Sequence, residues 1–408
     1  MISGREMKEI KLFKDKKDCC ACGACLNICP KQAITMQKDE YGFLYPQIDE
    51  SKCIKCGLCI KTCAFQNSEL KNVQIKTYAA QSNNTDLKES ASGGIFASIA
   101  TNVLREGGVV YGAAMEMEND KLTVRHIAVE NDTDLIKLQG SKYVQSSTEK
   151  IYQDVKKKLN DNRLVLFSGT PCQVDGLNSY LGKTYDNLTT IDIICHGVPN
   201  NQMFQDYIAL LEKRYKDKII DFKFRDKTKC WGLTAKGYTA KGYTAIIPAN
   251  VSSYYYMFLK SYIYRNSCYS CKYACKNRCG DITIGDYWGI EKAHSEVLKE
   301  NEYGLDYKNG ISCLIVNTEQ GIKVLEKYKS GLRLLDSAFE KASKENGQLN
   351  LPSFVDINKR AKILGIYRFK GYAEIETWFK WIKYINMLKS SVPYGLKKVL
   401  KKMINNFK

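Results

Sequence analysis

Two runs of cysteine constrain this chain more than any other feature. The first is Cys19-x2-Cys22-x2-Cys25-x3-Cys29-Pro30 and the second is Cys53-x2-Cys56-x2-Cys59-x3-Cys63. Two-residue spacers let a short loop wrap so that three sulfurs point inward, while the fourth cysteine of each run reaches across to the other site. A cubane core of four irons and four sulfides needs four converging thiolates, so the spacing predicts two such cores. One takes Cys19, Cys22, Cys25 and Cys63; the other takes Cys53, Cys56, Cys59 and Cys29. A pair of zinc knuckles is the competing arrangement, but zinc sites usually separate their cysteine pairs by a longer loop. Cys20 is spare and reads as a small buried residue.

The 408 residues hold 17 cysteines. An odd count with no apolar leader at the N-terminus argues against a disulfide framework and for a reducing cytoplasm. No stretch offers 18 uncharged apolar residues, so a membrane span is not expected. The net charge of +18 favours anionic partners: nucleotide cofactors, acidic redox proteins, nucleic acid or anionic lipid. Nucleic acid is the least expected of these, because the lysines concentrate in the tail and no nucleic-acid module is present.

After Cys63 no cysteine appears until Cys172, and a polar stretch over 66–76 reads as a linker. The expected organisation is a module over 1–72, a main domain over 75–345 and a basic tail over 346–408. In the main domain, short apolar runs at 109–111, 122–129, 164–167, 188–194, 219–224, 282–285 and 313–316 alternate with helical stripes. Those stripes begin at Ile95, Ile151 and Phe204. This predicts an α/β domain with a buried, mostly parallel sheet, preceded by a small α+β module. A local repeat, Ala235-Lys-Gly-Tyr-Thr239 followed by Ala240-Lys-Gly-Tyr-Thr244, suits a hairpin or an insertion loop.

Three segments sit where chemistry is expected, two of them at strand ends where an open α/β sheet places its ligands. Ser90-Ala-Ser-Gly-Gly94 opens a helix, as either a phosphate-binding turn or an ordinary N-cap. Ser168-Gly-Thr-Pro-Cys172 and Cys195-His-Gly-Val-Pro199 each follow a strand. His196 is the histidine best placed for function, although adjacent residues in extended chain face opposite ways, which argues against a Cys195–His196 dyad. His126 and His294 read as structural. For a third core two ligand sets compete, and plain burial of Cys172 and Cys195 with no third core is the alternative to both. One is distributed, Cys172, Cys195, Cys268 and Cys271; the other is local, Cys268, Cys271, Cys275 and Cys279. On a helix the local four would spread over roughly 16 Å, so they would need an irregular loop.

Residues 15–66 resemble a bacterial two-cluster ferredoxin module, with Ala64 where that pattern usually has proline. The main domain resembles the beta subunit of coenzyme F420-reducing hydrogenase and formate dehydrogenase over roughly 75–320. The resemblance lies in Ser-Ala-Ser-Gly-Gly-Ile-Phe96, Gly108-Val-Val-Tyr-Gly112, Gly140-Ser-Lys-Tyr-Val-Gln-Ser146 and Leu166-Phe-Ser-Gly-Thr-Pro-Cys172. It continues in Cys195-His-Gly-Val-Pro199, Ser267-Cys-Tyr-Ser-Cys271 and Asp281-Ile-Thr-Ile-Gly-Asp-Tyr-Trp-Gly289. It implies an FAD-binding 4Fe-4S oxidoreductase linking a ferredoxin-type or other redox protein to a small-molecule acceptor, typically F420. It also implies an association with surface polysaccharide synthesis. The alternative is a non-catalytic electron-transfer subunit docked on a partner enzyme. On this reading the flavin phosphates fall at Ser92, Gly93 and Gly94, with Ser141 and Lys142 near the phosphates or ring. Lys142 and His196 are the catalytic candidates, and the distributed cysteines match the resemblance better than Cys275 and Cys279 do.

The tail has no acidic residue after Glu376. Leu396, Val399, Leu400, Met403, Ile404 and Phe407 form one helical face and Lys397, Lys398, Lys401 and Lys402 the other, after a stripe of Trp378, Phe379, Ile382 and Ile385. Such a helix can lie on the inner face of an anionic membrane or pack on the main domain; both expectations stand.

Overall fold

Each cysteine run curls around a short helix that carries its third cysteine: Ala24–Ile28 holds Cys25 and Leu58–Lys61 holds Cys59. The computed structural model describes residues 10–83, 87–228, 231–299 and 304–391. Between the two runs, β1 (Ile34–Lys38) and β2 (Leu44–Ile48) pair antiparallel with Ile34 opposite Ile48. The polar stretch after Cys63 contains a short helix, Ala64–Asn67, and a bridge from Asn72 to Arg278. It runs straight into a strand.

That strand is β3 (Lys76–Ser82), followed by β4 (Val109–Glu118), β5 (Lys121–Val129), β6 (Val165–Gly169) and β7 (Leu188–Ile193). Then come β8 (Ile219–Lys223), β9 (Thr234–Thr239), β10 (Thr244–Pro248), β11 (Ile282–Asp286), β12 (Ser312–Val316) and β13 (Leu332–Ser337). Among the described residues, eight strands make one mixed sheet in the order β13-β3-β12-β11-β7-β6-β4-β5. Its four central strands, β11, β7, β6 and β4, run parallel, and antiparallel strands close it on both sides.

Alternate residues of the central strands feed two cores, as the two-residue period of a strand requires. Val110, Leu166, Ile191 and Ile282 meet Ile95, Ile99 and Val103 of the helix Ile95–Arg105 on one face. Each such buried side chain contributes about 1.5–3 kcal/mol. Val109, Tyr111, Val165 and Phe167 meet the helices Ile151–Asn160 and Pro171–Leu181 on the other face, and Cys20, Cys22 and Ala24 join that second core. The module is therefore packed onto one face of the sheet.

The 219–224 run, expected among the strands of the main sheet, leaves it. As β8 it joins a separate antiparallel sheet, β10-β9-β8, over the helices Asn201–Tyr215 and Ser253–Leu259. The repeat forms that sheet's hairpin: the first copy lies in β9, and the second supplies the turn and the first residue of β10. Helices Ile357–Lys370 and Tyr372–Ser391 close the chain that is described. Tyr372, Ile375 and Phe379 are buried, whereas Trp381, Tyr384 and Ile385 are exposed, so the predicted stripe splits between packing and solvent. The amphipathic segment 396–407 lies outside the described residues. Among the described residues no helix is long and apolar enough to cross a membrane.

Candidate metal centres and the adjoining cleft

The short helices turn each run's cysteines inward, and two cavities result. Cys19, Cys22, Cys25 and Cys63 line one, walled by Leu12, Met36, Pro46 and Phe65 and touched by Cys20 and Cys59. Cys29, Cys53, Cys56 and Cys59 line the other, with Pro30, Ile34, Ile48, Ile54 and Leu58. The fourth cysteine of each run thus faces the other run's three. Four thiol donors within apolar walls fit an iron–sulfur core.

A third group gathers at the carboxyl edge of the parallel strands. Thr170 caps the helix Pro171–Leu181 just after β6, so Cys172 sits in that helix's first turn, while Cys195 follows β7 closely. The turn Asn266–Ser270 brings Cys268, and Cys271 follows it. Burial, and then the charges of Cys268, Cys172 and Cys271, push the Cys195 thiol well up. Burial with the neighbouring sulfurs likewise raises Cys268 to about 12 and Cys271 to about 11. Metal coordination would remove that cost, because a coordinated thiol is deprotonated outright. Cys275 and Cys279 are engaged elsewhere. The Cys275 thiol donates to the carbonyls of Lys272 and Asn277, both at 3.2 Å, and Cys279 donates to the Pro171 carbonyl at 3.1 Å.

Three residues join the first module group to this third group, and none was read as functional from the sequence. A Cβ on Gly176 would lie 2.8 Å from Cys22 Sγ, so only glycine lets Cys22 settle one helical turn from Cys172. The Cys20 thiol stands between the two sulfurs; its hydrogen bonds toward Cys172 and Cys22 raise its own pKa and lower theirs. Arg265 is fully buried. It donates to the carbonyls of Cys19 at 2.9 Å and Leu44 at 2.6 Å and to Gln145 Oε1 at 3.2 Å, and lies 4.1 Å over the Tyr45 ring. A buried cation held by neutral acceptors calls for nearby anions. Its charge opposes the burial that raises the Cys19 and Cys268 thiols and adds to the Cys20 hydrogen bond that lowers Cys172, so it faces both groups. The available signal was an arginine inside the aromatic run Tyr262-Ile-Tyr-Arg265.

The residues expected at a flavin divide. Ser92 Oγ donates to the Ile311 carbonyl and the Gly93 N–H donates to Ser312 Oγ, both at 2.9 Å. The missing Cβ of Gly93 makes room for the backbone of β3 and β12, so the protein itself takes that space. Gly94 has φ +77° and starts the helix Ile95–Arg105. With Ser90, Glu89, Thr101, Thr133 and Gln139 it lines a cleft of about 290 Å³. That volume is near the lower end of ligand sites, roughly 300–1,000 Å³. Lys142, next to Ser141, borders the same side: its ammonium donates to the carbonyls of Gln139 at 2.6 Å and Lys137 at 2.9 Å. Burial lowers its pKa to about 7. His196 lies away from this cleft, its ring pKa lowered first by burial and then opposed by Asp286. Asp286 in turn pairs with buried Arg225 at 2.7 Å and accepts from Trp231 Nε1 at 2.9 Å. Consistent with opposite faces, Cys195 joins the cysteines while His196 joins this ion pair. His126 and His294 hold local hydrogen bonds, to Ser146 and Ser168 and to Glu296 and Ser337.

Comparison with known families agrees with this layout. Models of the coenzyme F420 hydrogenase/dehydrogenase beta subunit match at residues 77–153 for the N-terminal part and 162–340 for the C-terminal part. A 4Fe-4S dicluster domain matches at residues 18–67. The chain belongs to the coenzyme F420 hydrogenase/dehydrogenase beta subunit family. This member of the family carries its iron–sulfur module in the same chain. Among solved structures it is similar to a chain of the F420-reducing NiFe hydrogenase complex from Methanosarcina barkeri. The two are 16% identical with a TM-score of 0.43, over 76% of this chain and 96% of that one. No curated protein matches it.

Proposed function

We propose that this protein is an iron–sulfur flavoprotein oxidoreductase passing electrons between a ferredoxin-type donor and a small-molecule two-electron acceptor, F420 or another. The supporting observation is a continuous series of cysteine groups. It runs from exposed Cys56, through Cys19, Cys22, Cys25 and Cys63, to Cys172, Cys195, Cys268 and Cys271 at the sheet edge. On this reading the twelve cysteines hold three 4Fe-4S cores, which supply one-electron transfer when bound. FAD, when bound, supplies the conversion between one- and two-electron chemistry.

We place the flavin phosphates at the cleft, where Ser90 and Gly94 open the helix Ile95–Arg105. Ser92 and Gly93 then act as anchors, fixing the loop to β12 while Lys227 grips it through the carbonyls of Leu87 and Ser92. Lys142, with a pKa of about 7, is suited to hold or release a proton beside the cleft. His196 is the second candidate for that role. The setting we adopt is cytoplasmic, with the basic tail as a peripheral contact to the membrane and surface polysaccharide synthesis as the process served.

The test is anaerobic purification with iron, sulfide and flavin counted per chain, then reduction by dithionite and challenge with deazaflavin, nicotinamide and quinone acceptors. About twelve irons and one flavin are expected, with electrons delivered to an acceptor. Stoichiometric zinc without acid-labile sulfide would overturn the reading. Full iron content with no acceptor reduced would favour the docking subunit.

A further inference from the structure

The second cysteine group lies under a surface with an apolar centre. Ile54, Leu58 and Ile60 are 55%, 39% and 42% exposed, and Cys56 beside them is exposed as well. Ile54, Cys56 and Leu58 border one cavity together with Pro30 and Lys31. Leu58 and Lys61 are three residues apart on one helix and share its face. Lys55 separates Ile54 from Cys56 in the chain. Lys31 borders the cavity, Lys61 shares the face of Leu58, and half-buried Lys55 adjoins Ile54 and Cys56 in the chain, so three lysines accompany the apolar centre; the nearest acids in sequence are Asp49, engaged by Lys52 at 2.9 Å, and exposed Glu50. An apolar centre within a charged rim is the anatomy of a docking surface. The opposite side of the module is closed against the sheet domain through Cys22, Gly176 and Arg265. Electrons from another protein must then enter on the exposed side.

We propose that this face receives an acidic one-electron carrier protein; the proposal rests on the reading that Cys29, Cys53, Cys56 and Cys59 hold a 4Fe-4S core. The lysine rim steers a negatively charged partner and rejects a basic one, and the apolar centre supplies the contact. A core held by Cys29, Cys53, Cys56 and Cys59 would take one electron from the carrier's reduced centre, so that the carrier is oxidised and the core reduced, with no proton or covalent bond moved.

The experiment uses the full iron-loaded chain with an acidic plant-type 2Fe-2S ferredoxin. Affinity is read by titration calorimetry and electron entry by stopped-flow absorbance, with dithionite-reduced methyl viologen as a small donor. Raising salt from about 50 to 500 mM should weaken ferredoxin binding by about tenfold or more, since exposed charges are then screened. The Lys31→Glu, Lys55→Glu, Lys61→Glu variant should lose a similar factor at low salt while keeping its iron and its rate with methyl viologen. Should that variant lose iron, Lys31→Gln with Lys61→Gln takes its place with the same expectation at a smaller factor. Wild-type affinity in either iron-loaded variant, or binding indifferent to salt, would overturn the proposal. So would salt-sensitive self-association of the wild type abolished by Ile54→Ser, or adsorption to anionic vesicles abolished by the same change, since each assigns the face to another occupant. Metal bound without acid-labile sulfide in the wild type would overturn the iron–sulfur reading itself.

Discussion

The two cysteine runs have the same spacing and opposite surroundings. Around the first run, the carbonyls of Cys19, Cys20 and Cys22 accept hydrogen bonds from Arg265, Gln145, Thr148 and Tyr152 of the sheet domain, at 2.8–2.9 Å. Around the second, the sheet domain reaches the end of the run, where Ser179 donates to the Thr62 carbonyl at 2.9 Å; Asn67 of the module itself donates to the carbonyls of Ile60 and Lys61, and Cys56 is exposed. Spacing decides which sulfurs converge; the neighbours decide what a converged group can serve. A run enclosed by another domain can pass electrons inward, and a run left bare can meet a visiting protein.

The largest way to break this comparison is to remove ligands. Cys22→Ala and Cys56→Ala should each lower iron by about four atoms of about twelve per chain, read by iron and sulfide assay. Cys172→Ala should do the same while Cys275→Ala leaves iron unchanged; the reverse result would move the third core to the local run. Next comes the buried cation. Arg265→Met strands two carbonyls and leaves thiolate charge unbalanced, so it should cost about 3–5 kcal/mol in denaturant unfolding. On the bare side, Lys61→Met should stay within about 0.5 kcal/mol.

Acid should act on the enclosed side through His126. Burial holds its pKa at about 4, and its ring nitrogens are bonded to Ser168 and Ser146 beneath the Cys172 turn. The unfolded chain takes up this proton near its ordinary value of about 6.5. Stability is thus present above that pH and lost as pH falls toward 4, by about 3 kcal/mol in total. Unfolding midpoints measured from pH 7 to 4 should flatten over that window in His126→Gln. Steric effects are comparable or smaller. Gly176→Ala presses on Cys22 and should cost about 1–3 kcal/mol, perturbing the paramagnetic resonance of the first group. Gly57→Ala meets no atom within 4 Å and has φ +75°, so it bears backbone strain alone, about 1–2 kcal/mol, and should leave that signal untouched.

The module was legible because its ligands are a few residues apart, so local geometry governs them. The strands of the parallel core were legible as apolar runs such as Val165-Leu166-Phe167, each buried on both sides. β3 was absent from the expected strands: its sequence Lys-Thr-Tyr-Ala-Ala-Gln-Ser is half polar, and it is buried only because β12 and β13 flank it. β8 looked like its neighbours, since a strand as short as Ile-Ile-Asp-Phe-Lys carries no mark of which sheet it will join. Ser92 and Gly93 were read for a ligand and spend their polar groups on β12, a partner more than two hundred residues away. Arg265 and Gly176 escaped for the same reason: what they touch is set by docking, not by spacing.

The crosswise lining of the two module cavities also bears on how the protein is made. Cys29 is synthesised with the first run but completes the second cavity, and Cys63 ends the second run but completes the first. Neither cavity has four sulfurs until Cys59 has been translated, and the other waits for Cys63. Iron delivered to a nascent chain holding only the first run would find three ligands of one site and one of another. Cofactor insertion is therefore tied to the chain beyond residue 63, and a ribosome stalled before it leaves a product whose first site lacks a ligand.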